Sequence, residues 1–164
     1  MNTCRLFLTA LLCWTTLGLS WSQNLTLGIY PEPQEVTISS GTYTPPYGYV
    51  LKGITNPDPD AVALLKEAVT FAQSGKALPL EIKKLKDKRA ELQRSGAYTL
   101  SITRKGIKIG IVDDHSLFYA AQTLKQLAKI EDGKRTLPLC EITDKPKVLY
   151  RGTVQGVYGT RWRN

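Results

Sequence analysis

Residues 98–128 read YTLSITRKGIKIGIVDDHSLFYAAQTLKQLA. Tyr98, Leu100 and Ile102 alternate with Thr99, Ser101 and Thr103, and after a turn at Arg104-Lys105-Gly106 the series Ile107, Ile109, Ile111 does the same. Side chains in a strand point alternately to opposite faces, so this pattern predicts a β-hairpin with one apolar face. Asp113 or Asp114 is then placed to cap a helix carrying Leu117, Phe118, Ala121, Leu124, Leu127 and Ala128. Their three- and four-residue spacing makes a stripe that can lie on the hairpin's apolar face. A hairpin covered by a helix is the nucleus of a two-layer α+β sandwich, a mixed and largely antiparallel sheet with helices packed on one face.

The flanking sequence supplies further elements. Upstream, Pro31 and Pro33 set an extended entry into a strand over Glu35 to Ser39, and Pro45-Pro46-Tyr47-Gly48 marks a turn before a weaker strand candidate, Tyr49 to Ile54. Asp58 is a natural N-cap with Pro59 at the first helical position; Val62, Leu65, Val69 and Ala72 then recur at helical spacing towards Gly75. A second helix is expected over Leu80 to Arg94, with the sparse stripe Ile82, Leu85, Leu92. Downstream, the apolar run Leu137 to Ile142 can add a strand, and Lys145-Pro146 ends it. No internal repeat or low-complexity tract interrupts this order.

The N-terminus has the layout of an export signal over residues 1–22: Arg5, the apolar run Leu6 to Leu19, then Ser20 and Ser22 before a cut near Gln23. It is too short and wrongly flanked for a membrane span, and Leu12 directly before Cys13 makes a poor lipoprotein signal. The expected location is therefore secreted or periplasmic. Cleavage leaves 142 of the 164 residues, enough for one domain with a core, expected over residues 23–150. Cys4 and Cys13 would leave with the signal, so Cys140 would have no partner for an internal disulfide, and its apolar surroundings suggest a buried core residue.

A formal charge of +8, reduced by one when Arg5 leaves, raises the question of nucleic acid. The basic residues Lys83, Lys84, Lys86, Lys88, Arg89 and Arg94 are interleaved with Glu81, Asp87 and Glu91, the pattern of a solvated face rather than a phosphate-binding stripe. No nucleic-acid partner is expected. The sequon Asn24-Leu25-Thr26 would matter only in a eukaryotic secretory pathway.

Several motifs in order carry a resemblance: Gly96-Ala97-Tyr98-Thr99-Leu100, the hairpin, then Phe118-Tyr119-Ala120-Ala121-Gln122-Thr123-Leu124. Before them stands Pro31-Glu32-Pro33-Gln34, and after them Asp144-Lys145-Pro146 and Tyr150-Arg151-Gly152. Together they resemble the domain that precedes the catalytic barrel in hexosaminidases of glycoside hydrolase families 20 and 84. Residues 151–162, RGTVQGVYGTRW, look like the first barrel strand of family 84, with Gln155, Val157 and Arg161 departing from its usual glutamate, phenylalanine and proline. The resemblance implies that Gly156 and Tyr158 would lie at the sugar site of a complete barrel. Residues 151–164 are thus expected to be the truncated start of a barrel, disordered without its neighbours.

Candidate chemistry within the domain is sparse. Family 84 enzymes use two adjacent aspartates, and Asp113-Asp114 is such a pair, but its place between hairpin and helix is that of an N-cap, not of a barrel-strand end. His115, the only histidine, has no further ligands at metal spacing, and no nucleophile elbow or phosphate loop is present. No catalytic residue, cofactor or metal is assigned. Two readings remain: a non-catalytic accessory domain bracing the barrel of a secreted β-N-acetylglucosaminidase, its partners being that barrel and, through it, N-acetylglucosamine-containing glycans; or a stand-alone carbohydrate- or protein-binding module using Tyr43, Tyr47 and Tyr49.

Overall fold

A computed structural model describes residues 27–72, 76–86 and 89–148. The hairpin forms as the alternation requires, with β4 (Tyr98–Thr103) antiparallel to β5 (Gly106–Ile111) and Tyr98, Leu100 and Ile102 directly opposite Ile111, Ile109 and Ile107. All six side chains are buried, while Thr99, Ser101 and Lys108 on the other face keep contact with water. The helix that covers the apolar face, Asp114–Leu127, buries Leu117, Ala120, Ala121, Leu124 and Leu127. Ala128 is its C-cap and, like Phe118, packs half-buried against the same core.

Around this nucleus the sheet runs β1-β7-β4-β5-β3-β2, with β6 paired to β7 outside that path. β1 is Glu35–Tyr43, β2 Tyr49–Lys52, β3 Leu78–Lys84, β6 Lys129–Glu131 and β7 Lys134–Asp144. The β2·β3 and β3·β5 pairings are parallel and the rest antiparallel, giving the expected mixed sheet. Parallel neighbours cannot be joined by a tight turn, and α1 (Pro59–Ala68) makes the crossover from β2 to β3. It packs beside the Asp114–Leu127 helix, α2, so both helices lie on one face. Ala61, Leu65 and Ala68 bring α1 into the same core.

One expected element is replaced. The helix anticipated over Leu80 to Arg94 is instead strand β3 followed by a short 3₁₀ turn, Ala90–Gln93. Leu78, Leu80 and Ile82 alternate with Pro79, Glu81 and Lys83, a period of two that the Ile82–Leu85–Leu92 spacing masked, and Leu80 and Ile82 are fully buried between β2 and β5. Of the interleaved charges, Glu81 and Lys83 sit on the solvent face of this strand, where Lys83 Nζ lies 2.7 Å from Glu81 Oε1 across an i, i+2 spacing no helix brings together. That hydrogen bond, with nearby lysines, holds the Glu81 carboxyl below its ordinary range.

Other boundaries move less. β1 continues to Tyr43 through an irregularity between Ile38 and Thr42. α1 stops at Ala68; Val69 turns extended, and Phe71 forms a parallel bridge to Tyr49, so Val69 and Ala72 lie beyond the helix and Gly75 outside the described residues. Strand β6 has no counterpart in the expected order. Its signal was Asp132-Gly133, both at positive φ (50° and 72°), as a two-residue hairpin turn requires. The proposed export signal and residues 151–164 lie outside the described residues. Among those described, no helix is long and apolar enough to cross a membrane.

Candidate functional site

Register fixes which parts of the chain meet. Tyr98 is opposite both Ile111 and Asp144, and Glu35 is opposite Thr143, so the start of β1, the start of β4 and the ends of β5 and β7 share one end of the sheet. The N-terminus of α2 is there too, because α2 follows β5 within three residues. This is also the end at which the chain leaves the sheet through Lys145 and Pro146.

Asp113 organises that end. Its carboxylate accepts hydrogen bonds from the Ser116 amide (2.9 Å), the Ser116 hydroxyl (2.8 Å) and the Gly96 amide (3.1 Å), while the Ser116 hydroxyl oxygen accepts from the Asp113 amide at 3.2 Å. The result is a reciprocal capping box. Partial burial pushes the Asp113 carboxyl up, but the hydrogen bonds from Ser95, Ser116 and Gly96 outweigh it and hold the pKa at about 2. A carboxylate so committed is a helix cap. His115 is 76% exposed with Nδ1 4.0 Å from Asp113 Oδ2. The described residues contain no group of three His, Cys, Asp or Glu side chains able to hold a metal.

Gly96 shows why the glycine stands where it does. Its φ is +79°, and a Cβ there would meet the Tyr119 ring at 2.7 Å and Pro146 at 2.8 Å. Two residues on, the buried Tyr98 hydroxyl lies 2.6 Å from Thr123 Oγ1 and donates a longer bond to Asp144 Oδ2 at 3.5 Å. Burial pushes the Tyr98 phenol well above its ordinary value, with the neighbouring Asp144 charge adding to the rise. Asp144 also accepts from the Gln34 amide at 3.2 Å, Gln34 Nε2 donates to the Lys145 carbonyl at 3.1 Å, and the Tyr30 amide donates to Gln126 Oε1 at 2.8 Å. The lead-in is thereby tied to α2 and to the outgoing chain. A cavity of about 190 Å³ lies among these groups, bordered by Pro31, Gly96, Tyr119 and Pro146.

The motif residues Gln34, Gly96, Tyr98, Tyr119, Asp144 and Pro146, scattered over more than a hundred positions, therefore converge on one junction. They are the residues that carried the resemblance to hexosaminidases, and a family model decides the matter: residues 26–145 match glycosyl hydrolase family 20, domain 2. The chain belongs to this domain family. The domain 2 sequence is 30% identical over 125 residues to a beta-hexosaminidase of Vibrio vulnificus, covering 76% of this chain and 14% of that protein. Among solved structures it is similar to CpGH84B, with a TM-score of 0.67 and 25% identity over 84% of this chain and 26% of the other. It also shares the fold of the family 20 exo-β-N-acetylglucosaminidase of Vibrio harveyi, at a TM-score of 0.58 and 24% identity over 76% of this chain and 20% of that one. The chain thus spans about a quarter or less of the proteins it matches.

The remaining expected site residues separate. Gly156 and Tyr158 lie outside the described residues. Cys140 is buried among core side chains, and burial pushes its thiol up to about 11. The three tyrosines form no shared platform: Tyr49 is buried, Tyr43 sits under the Arg104 guanidinium at 5.8 Å, and Tyr47 alone is well exposed. Tyr47 and Tyr49 do line an open groove at the opposite end of the sheet, bordered by the β6–β7 hairpin; sequence reasoning missed that hairpin, which the Asp132-Gly133 dipeptide could have located.

Proposed function

We propose that this chain is the non-catalytic accessory domain of an exported hexosaminidase-type glycoside hydrolase, and that its exit end braces the catalytic barrel of the same polypeptide. The observation that carries this reading is the junction: the motif residues that distinguish the domain are spent on tying lead-in, helix N-terminus and outgoing chain together, and none on a reactive pocket. A (β/α)-barrel needs roughly 250 residues. The 164 here cannot hold both it and this domain. The relatives' names support a parent acting on N-acetylglucosaminides, with the barrel and, through it, N-acetylglucosamine-containing glycans as partners. Gly156 and Tyr158 would belong to the sugar site of that barrel, whose first strand the RGTVQGVYGTRW stretch resembles in family 84. Export through residues 1–22 fits this role.

The test is hydrolysis of an aryl N-acetylglucosaminide by the purified chain. No turnover is expected. Turnover abolished by Asp113→Asn with the fold unchanged would overturn both the non-catalytic reading and the assignment of Asp113 as a cap.

A further inference from the structure

The outward face of α2 differs from that of its neighbour. His115, Tyr119, Gln122 and Gln126 follow one another at four- and three-residue spacing, so they share one face of the helix, turned away from the core stripe. No Lys, Arg, Asp or Glu stands between Asp114 and Lys125. α1, by contrast, shows Asp60, Lys66 and Glu67 to solvent, as an ordinary solvated helix does.

Apolar side chains gather around this uncharged face. Tyr119 is 37% exposed although its ring lies over Gly96. Tyr30, whose amide is held by Gln126 Oε1 at 2.8 Å, is 86% exposed, and Val148, where the described chain leaves the domain, is 54% exposed. The open cavity of about 190 Å³ lies among them, walled by the lead-in, α2 and the exit through Lys145, Pro146 and Lys147. Exposed apolar groups brought together in one place, with fixed charge kept out from among them, have the composition of a surface that another body covers.

The path of the chain says what covers it. Residues 151–162 resemble a first barrel strand, and only Leu149 and Tyr150 separate them from Val148. Three residue steps reach at most about 11 Å even when fully extended, so a barrel that opens there starts beside this flank. We propose that the outward face of α2, with Tyr30 and Val148 at its margins, is the surface on which the barrel of the same polypeptide docks, and that it holds the two as one rigid body rather than as tethered units. This rests on the accessory-domain reading and adds to it the face through which the bracing acts. Domains joined in one chain move relative to one another unless their interface is large and apolar, and the tyrosines here supply the apolar part. The barrel face that meets them is correspondingly uncharged, with hydrogen-bonding groups opposite Gln122 and Gln126.

The test is the rate at which a small maleimide labels single introduced cysteines, read peptide by peptide by mass spectrometry. It is measured in the full chain and in a chimera whose residues 26–145 replace the matching segment of the Vibrio vulnificus beta-hexosaminidase. Cys140 is buried and gives no background from within that segment. Tyr30→Cys and Tyr119→Cys should label freely in the chain and about tenfold or more slowly in the chimera, the slowing expected of a surface docked for more than about nine-tenths of the time. Tyr47→Cys and Ile130→Cys, exposed at the opposite end of the sheet, should label equally fast in both. Tyr30→Cys changes a side chain that the fold leaves in water, so its thermal midpoint should match that of the wild type and its rate reads docking alone. An unchanged rate at either flank position, or slowing at all four positions alike, would overturn the docking surface. The hydrolysis assay on the chain alone does not depend on that result, so failure here and failure of the non-catalytic reading are told apart.

Discussion

Asp113 is the N-cap that the sequence points to, and its behaviour with pH follows from its partners. The folded carboxyl titrates at about 2, below its ordinary 3.8, so the stability it contributes is complete above roughly pH 5 and is lost as pH falls towards 2. Asp113→Asn keeps a capping side chain but no titrating charge. The wild type should therefore lose more stability between pH 5 and pH 2.5 than the variant, measured as urea midpoints at the two values. An equal loss would mean that Asp113 is not held ionised by the capping box. Tyr98 gives a second test. Tyr98→Phe removes a buried hydroxyl and leaves Thr123 Oγ1 without that bond, which should cost about 1 kcal/mol in chemical unfolding. A change near zero would show that the 2.6 Å contact is replaced by another partner at no cost.

At the scale of elements, α2 on the β4–β5 hairpin is the core, and Leu124 is fully buried in it. Leu124→Ala should lower stability by roughly 2 to 5 kcal/mol in urea unfolding, and a loss below about 0.5 kcal/mol would place the helix face wrongly. This part was legible from sequence because two strong periodicities, two and then 3.6, adjoin one another with a carboxylate at the change. β3 was not, because only Leu80 and Ile82 of its residues are fully buried, too short an alternation to stand out against the Ile82, Leu85, Leu92 spacing. Its solvent face carries lysines and glutamate that suit a helix equally well. α1 was placed at its start by Asp58-Pro59, whose Asp58 carboxylate accepts from Ala61 at 3.2 Å, but its end was overrun. Val69 and Ala72 continue the helical spacing in sequence, but in the fold Val69 is the helix C-cap and the Ala72 amide bonds to Tyr49 at the edge of the sheet. Of the functional site, the junction was legible only as a set of separate motifs. That Gly96, Tyr119 and Pro146 touch is a consequence of topology, which no local spacing reveals.

At the scale of the molecule, the two ends of the sheet are built differently. One joins the lead-in, the helix N-terminus and the outgoing chain; the other opens a groove bounded by the β6–β7 hairpin. The central claim is that the first of these is structural support for a barrel and not part of its chemistry. It is tested by replacing the matching segment of the Vibrio vulnificus beta-hexosaminidase with residues 26–145 of this chain. Hydrolysis by the chimera is then followed at 25 °C and after heating, with and without Gly96→Val. The account predicts that Gly96→Val, which drives a side chain into Tyr119 and Pro146, leaves the rate at 25 °C within about threefold and lowers the inactivation temperature by roughly 2 to 8 °C. A rate lost at 25 °C in a chimera whose inactivation temperature is unchanged would contradict it, because the junction would then be acting on the chemistry and not on the fold.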